Sequence, residues 1–119
     1  MSLRFMDKRR LYLLNLLRRS AYQHRAPVWR RVRELLSRSR RRRMSVNISK
    51  INRYSGDGDV IVVPGKVLGS GSIDHKVVVG AYKYSLKAKM KLEEAGCEVL
   101  TIEELVRRYP DGKGVKIII

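Results

Sequence analysis

Apolar residues recur at helical spacing near the start of the chain. Leu11, Leu14, Leu17 and Ala21 fall every three or four positions, and Leu13 and Leu16 widen the stripe. Asp7 stands ahead of it, where a carboxylate suits a helix N-terminus. The spacing predicts a helix over Lys8–Gln23. Ala26-Pro27 breaks the period, and proline favours the first turn of a new helix. Val28, Val32, Leu35 and Leu36, with Trp29 alongside, then predict a second helix ending near Ser39. In both helices arginines take the face opposite the apolar stripe: Arg10, Arg18 and Arg25 on the first, Arg30, Arg31, Arg33 and Arg38 on the second.

From Ser45 onward the pattern changes to short apolar runs separated by turns. Residues 45–54 predict a short strand running into a short helix, with Asn47 or Ser49 as N-cap. Gly56-Asp57-Gly58-Asp59 is a turn cluster ahead of the β-branched run Val60-Ile61-Val62-Val63, a strand that Pro64-Gly65 is expected to end. Lys66-Val67-Leu68 reads as a brief extended piece, Gly69-Ser70-Gly71-Ser72 as a turn, and Val77-Val78-Val79 as a second strand. Ser85 is placed to cap a helix through Leu86, Met90 and Leu92 that stops at Gly96. Glu98-Val99-Leu100 is a short strand, Thr101-Ile102-Glu103-Glu104 a capping box opening a helix to about Arg108, and residues 115–119 a final apolar strand. Strands alternating with helices predict an α/β fold, and continuous apolar runs imply strands covered on both faces. The expected organisation is a basic two-helix region over residues 1–45 followed by an α/β globular body over residues 46–119.

Charge divides along a similar line. The 119 residues fit one domain, and 44% of them are apolar, enough for a core. Against 11 acids stand 27 Lys and Arg, a net charge of +16, of which the first 50 residues hold +14 and the remaining 69 only +2. Of the first 16 bases 14 are Arg, whereas 8 of the last 11 are Lys. Arginine makes the bidentate phosphate contacts and stacks on planar groups, so the first region reads as a polyanion-binding surface. The expected phosphate contacts on the helices are Arg9, Arg10, Arg18, Arg19, Arg30, Arg31, Arg33 and Arg38. Beyond them come Arg40, Arg41, Arg42 and Arg43, four like charges that repel one another and read as a linker in free solution, and then Lys50. Lys66 and Lys76 are secondary candidates in the body.

Other chemistries find little support. One cysteine, Cys97, and two histidines, His24 and His75, make neither an internal disulfide nor a zinc site of ordinary ligand count. No window approaches 18 consecutive apolar residues and no secretory leader is recognisable, so the expectation is a soluble intracellular protein without a structural metal. Residues 65–71 hold glycines and a lysine in the wrong order for a phosphate cradle, and Asp74 stands where a dinucleotide fingerprint needs its last glycine. Asp74 and His75, if adjacent on a strand, point to opposite faces and share no proton path, so neither an enzyme, a cofactor nor a small-molecule substrate is expected. Trp29 at helical spacing reads as core rather than as a stacking platform. Among polyanions, a membrane surface is disfavoured because packing explains the apolar stripes. Duplex DNA lacks a groove-reading motif, although an architectural DNA-binding protein stays as the alternative, and folded RNA fits best.

Several segments carry a resemblance. Val46-Asn47-Ile48-Ser49-Lys50-Ile51-Asn52-Arg53-Tyr54, Val62-Val63-Pro64-Gly65-Lys66-Val67-Leu68-Gly69-Ser70-Gly71 and His75-Lys76-Val77, with Ala26-Pro27-Val28-Trp29 and Gly114-Val115-Lys116-Ile117-Ile118, resemble the large-subunit ribosomal protein family L-eighteen-e of archaea and eukaryotes. The likeness runs from about Arg10 to the end, with Gly96-Cys97 and the dense run of residues 40–43 as departures. It implies a structural constituent of the large ribosomal subunit, in the cytoplasm, with a fold shared with bacterial large-subunit protein fifteen. It also implies large-subunit ribosomal RNA and neighbouring ribosomal proteins as partners, and no catalysis or cofactor.

Overall fold

The β-branched run beginning at Val60 becomes the central strand of a wholly parallel sheet in the computed structural model, which describes residues 8–38 and 44–119. Five helices and five strands follow one another among these residues: α1 (Lys8–Gln23), α2 (Pro27–Leu36), β1 (Ser45–Asn47), α3 (Ile48–Arg53), β2 (Val60–Leu68), β3 (Val78–Tyr84), α4 (Leu86–Glu94), β4 (Glu98–Thr101), α5 (Ile102–Arg108) and β5 (Val115–Ile117). The sheet runs β1-β2-β3-β4, and β5 also pairs with β2. β5 takes the start of β2 (Val60–Val62) and β1 its end (Lys66–Leu68).

That division explains why Pro64-Gly65, expected to end the strand, lies inside it. A proline has no N–H to give to a ladder, so it is tolerated only where the ladder is already interrupted. Residues 63–65 fall between the stretch paired with β5 and the stretch paired with β1, and the register with β3 shifts between Val63 and Lys66. Gly65 has a second reason to be glycine: a Cβ there would run into the carbonyl and side chain of Met44, which leads into β1.

Alternation along β2 sends its side chains to two cores. Ile61, Val63 and Val67 join Val46, Ile48, Ile51, Ala88 and Leu92 under α3 and α4. Val62 faces the other way, with Leu13, Leu17, Trp29, Val32, Ile102 and Leu105 under α1, α2 and α5. Residues 69–77 connect β2 to β3 without a helix, and buried Ile73 and Val77 let this loop cover the same face as α3 and α4. β3 continues to Tyr84, past the three valines the sequence marks, because Gly80 leaves room for α5: a Cβ at Gly80 would lie 2.8 Å from a Leu105 methyl.

The caps decide where the helices begin. The Ser85 hydroxyl accepts the Ala88 N–H at 3.1 Å, and Thr101 with Glu104 forms the expected capping box of α5. Asn47 precedes α3, but its side chain accepts from the Ser70 N–H at 3.3 Å and ties the β2–β3 loop to β1 instead of capping its own helix.

The two basic helices are part of this packing. Leu13, Leu17, Trp29 and Val32 are fully buried, and burying each such side chain is worth about 1.5–3 kcal/mol. The Trp29 indole N–H donates to the Tyr109 carbonyl at 3.0 Å, which makes the ring a core residue fastened to the end of α5. The charge boundary near residue 50 is therefore not a packing boundary.

Candidate nucleic-acid interface

The arginines of α1 fall into two sets with different surroundings. At the amino end, Arg9 donates through Nε (2.8 Å) and Nη2 (3.0 Å) to the Glu103 carboxylate, and through Nη1 (2.6 Å) to the Tyr82 carbonyl. Its guanidinium also lies 4.5 Å from the centre of the Tyr82 ring. Burial pushes the Glu103 carboxyl up, but the hydrogen bonds and charge of Arg9 outweigh it and hold the group below its ordinary value. Bonding to Glu103 in turn raises Arg9. Arg10 donates twice to the Leu36 carbonyl (3.0 and 2.8 Å) and once to that of Arg38 (3.2 Å). These carbonyls belong to the unpaired, negative end of α2, where a cation is favoured. Both expected phosphate contacts at this end are thus engaged with the protein's own acceptors.

At the carboxyl end the situation reverses. α1 and α2 meet at an elbow where His24 N–H bonds to Ser20 O and Ala26 N–H to Ala21 O. Arg25 between them has φ +48°, the sole positive φ outside glycine among the described residues. The elbow opens on a groove of about 1060 Å³ lined by Arg18, Arg19, Arg25, Arg30 and Arg33 together with Tyr22, and no acid contributes to its wall. Arg18, Arg19, Arg25 and Arg30 are exposed. The Nε of Arg33 is shut off from solvent and has no hydrogen-bond acceptor among the described residues. Four of the expected contacts, Arg18, Arg19, Arg30 and Arg33, therefore share one site, held by two helices whose opposite faces are locked into the core.

The remaining candidates are scattered. Arg31 pairs with Glu34 one turn on at 3.4 Å, both well exposed, and Arg38 is exposed just past the end of α2. Arg40, Arg41, Arg42 and Arg43 lie outside the described residues. Lys50 borders a smaller hollow of about 550 Å³ with Tyr54, Lys116 and the last three residues. Lys66 is exposed on β2 and stands in register with Lys83 of β3, and Lys76 is exposed in the turn before β3. Tyr22 and Arg25 also belong to the groove: Arg25 falls opposite the apolar stripe but is not among the expected phosphate contacts, and Tyr22 is not an arginine at all. The available signal is the i, i+4 spacing of Arg18 and Tyr22, which places both on one helix face.

Residues 74 and 75 do not lie on a strand, so strand alternation does not separate them. His75 Nδ1 is 2.9 Å from Asp74 Oδ1, and its Nε2 is 2.8 Å from Ser55 Oγ. This corrects the expectation that the pair shares no proton path: a carboxylate on Nδ1 and a hydroxyl on Nε2 is the connectivity of a nucleophile triad, yet the Ser55 proton is committed elsewhere. The Ser55 hydroxyl donates to the Ile51 carbonyl at 2.5 Å, so its lone pair is what faces the imidazole, and the set fastens the loop before β3 to α3. Among the described residues no cluster of three His, Cys, Asp or Glu is placed to hold a metal, and no helix is long and apolar enough to cross a membrane.

Residues 5–119 match the family described as Ribosomal protein 60S L18 and 50S L18e. Among curated proteins, the chain is similar to "Large ribosomal subunit protein eL18" of Pyrobaculum aerophilum, 50% identical over 107 residues that cover 90% of this chain and 88% of the relative. The protein of the same name in Methanococcus maripaludis is 42% identical over 89% of this chain and 88% of its own length. That of Thermoplasma acidophilum is 50% identical over 76% of each.

Proposed function

The chain belongs to the family of ribosomal protein 60S L18 and 50S L18e and is a structural constituent of the large ribosomal subunit, not an enzyme; we propose that it holds its place by binding ribosomal RNA through the α1–α2 elbow and the basic segment after it. The observation that carries this reading is the joining of five arginines, without an acid, in one groove on the outer face of helices whose inner face is core. Arg18, Arg19, Arg30 and Arg33 contact phosphates there, and Arg38, Arg40, Arg41, Arg42, Arg43 and Lys50 are further phosphate contacts. Lys66 and Lys76 make separate contacts. Arg9 and Arg10 act indirectly, by fixing α1 against α5 and against the end of α2. The ribosome of the cytoplasm is the site of action, with neighbouring large-subunit proteins as further partners. Every relative named above carries a ribosomal name, and nothing favours the architectural DNA-binding alternative.

Sedimentation tests the assembly. The protein should travel with large subunits through a sucrose gradient in high salt, and its appearance with chromosomal DNA instead would overturn the reading. Binding of a large-subunit rRNA fragment should weaken with salt along a slope of log K against log salt of about −5 to −6, the value for roughly seven neutralised phosphates. A slope near −1 is incompatible with the groove as the main contact.

A further inference from the structure

We infer that the elbow groove is built for an unpaired nucleotide, whose base stacks on Tyr22 while its phosphates are held by Arg18, Arg30 and Arg33. The inference rests on the RNA-binding reading above and goes beyond it by naming the element of RNA structure that fits. Backbone neutralisation alone needs cations and no aromatic ring, and it makes no contact with an unpaired base. Yet this groove holds a tyrosine that is 87% exposed, the most exposed of the large hydrophobic side chains described.

The contrast with Tyr12, earlier on the same helix, is informative. The Arg107 guanidinium lies 5.9 Å from the centre of the Tyr12 ring and bonds its hydroxyl, so that ring already has a cation within the protein. No guanidinium is stacked on Tyr22 among the described residues, and its ring stands in water beside five arginines. An aromatic face at the edge of a positively charged groove is the arrangement that recognises splayed-out bases, because every base has a π-face. The volume of about 1060 Å³ lies just above the roughly 300–1,000 Å³ range of small-ligand sites, so a nucleotide has room. Arg33 adds a donor in want of an acceptor: its Nε–H is desolvated and unpaired, and a phosphate oxygen would supply the missing partner once the side chain turns toward it. A paired base offers only its edge and cannot reach the ring, so the site selects loops and bulges.

The test uses the full-length protein and two RNA hairpins of equal length, one with a bulged fluorescent purine analogue in the stem and one fully paired. The wild-type protein should bind the bulged hairpin about ten-fold tighter and quench its fluorescence by stacking. Tyr22→Ala should lose both the preference and the quenching while keeping its affinity for the paired hairpin, and Tyr22→Trp should keep both. The exposure of Tyr22 means these variants fold, and a melting curve checks it. Equal binding of the two hairpins by the wild-type protein overturns the inference and leaves the RNA-binding reading standing, as does Tyr22→Ala weakening both hairpins alike. Failure to bind either hairpin overturns both.

Discussion

Arg9 and Arg10 face acceptors 94 and 26 residues further along the chain, whereas Arg18 and Arg19, about two and a half turns on in the same helix, line a groove with no carboxylate in it. One residue type in one helix therefore serves two purposes, and the neighbours decide which. At the amino end, α5 presents Glu103 and α2 presents the unpaired carbonyls of its last turn. At the elbow, the chain supplies only cations. An arginine with three hydrogen bonds to internal acceptors is a structural clasp, and one left in water among its like is available to an external anion. The net charge of a region counts both kinds together, so the +14 of the first 50 residues overstates what is available to RNA.

The comparison presumes that both ends of α1 belong to one cooperative fold, and the largest expected effect tests that. Trp29→Ala empties a fully buried site and removes the bond to Tyr109, and should destabilise the whole protein by about 3–5 kcal/mol in denaturant unfolding followed by far-ultraviolet dichroism. If α1 and α2 were an appendage, the sheet would unfold at its usual midpoint, and the idea of a rigid platform for the groove would have to go.

Next in size is the clasp. Glu103→Gln should lower stability by about 2 kcal/mol, less than for a fully buried pair because Arg9 is 38% exposed, and leave RNA affinity close to wild type. Arg18→Gln should do the reverse: stability within about 0.5 kcal/mol, and a salt slope shallower by roughly 1. Loss of RNA affinity in the first variant equal to that in the second would erase the distinction between the two ends. Acid sharpens it further. Because the folded Glu103 carboxyl is held below its ordinary value, its contribution is complete above about pH 4.3 and is lost as pH falls through the lower folded value. The stability gap between wild type and Glu103→Gln should be widest at neutral pH and close in strong acid, with thermal melts across the range as the measurement.

These roles were only partly legible in the sequence, for physical reasons. Periodicity marked α1 and its end near Gln23, and local hydrogen-bonding chemistry marked Ser85 and Thr101 as caps, because each signal is complete within a few positions. Pro64 misled because its tolerance in β2 depends on which strands pair on either side of it, and β1 and β5 come from opposite ends of the body. The partner of Arg9 is hidden for the same reason: nothing near residue 9 announces a carboxylate 94 positions away. Arg18, Arg30 and Arg33 were recognisable as outward-facing from the stripes alone, yet their convergence depends on the angle at Arg25, which no periodicity encodes.

That angle gives a small effect and the most discriminating one. Arg25 adopts φ +48°, a conformation that costs an ordinary L-residue about 1–2 kcal/mol and glycine almost nothing. Set against the roughly 0.5–1 kcal/mol that glycine's extra freedom in the unfolded chain takes back, Arg25→Gly should raise stability by about 0.5–1 kcal/mol. The same change removes one of the five cations from the groove, so RNA affinity should fall and the salt slope lose about 1. A gain in stability joined to a loss of binding would mean that the guanidinium is kept at this position at the expense of the fold, as expected of the elbow and not of the amino end. A loss of stability would mean instead that Arg25 holds the elbow through its side chain, and the two ends of α1 would then differ in degree only.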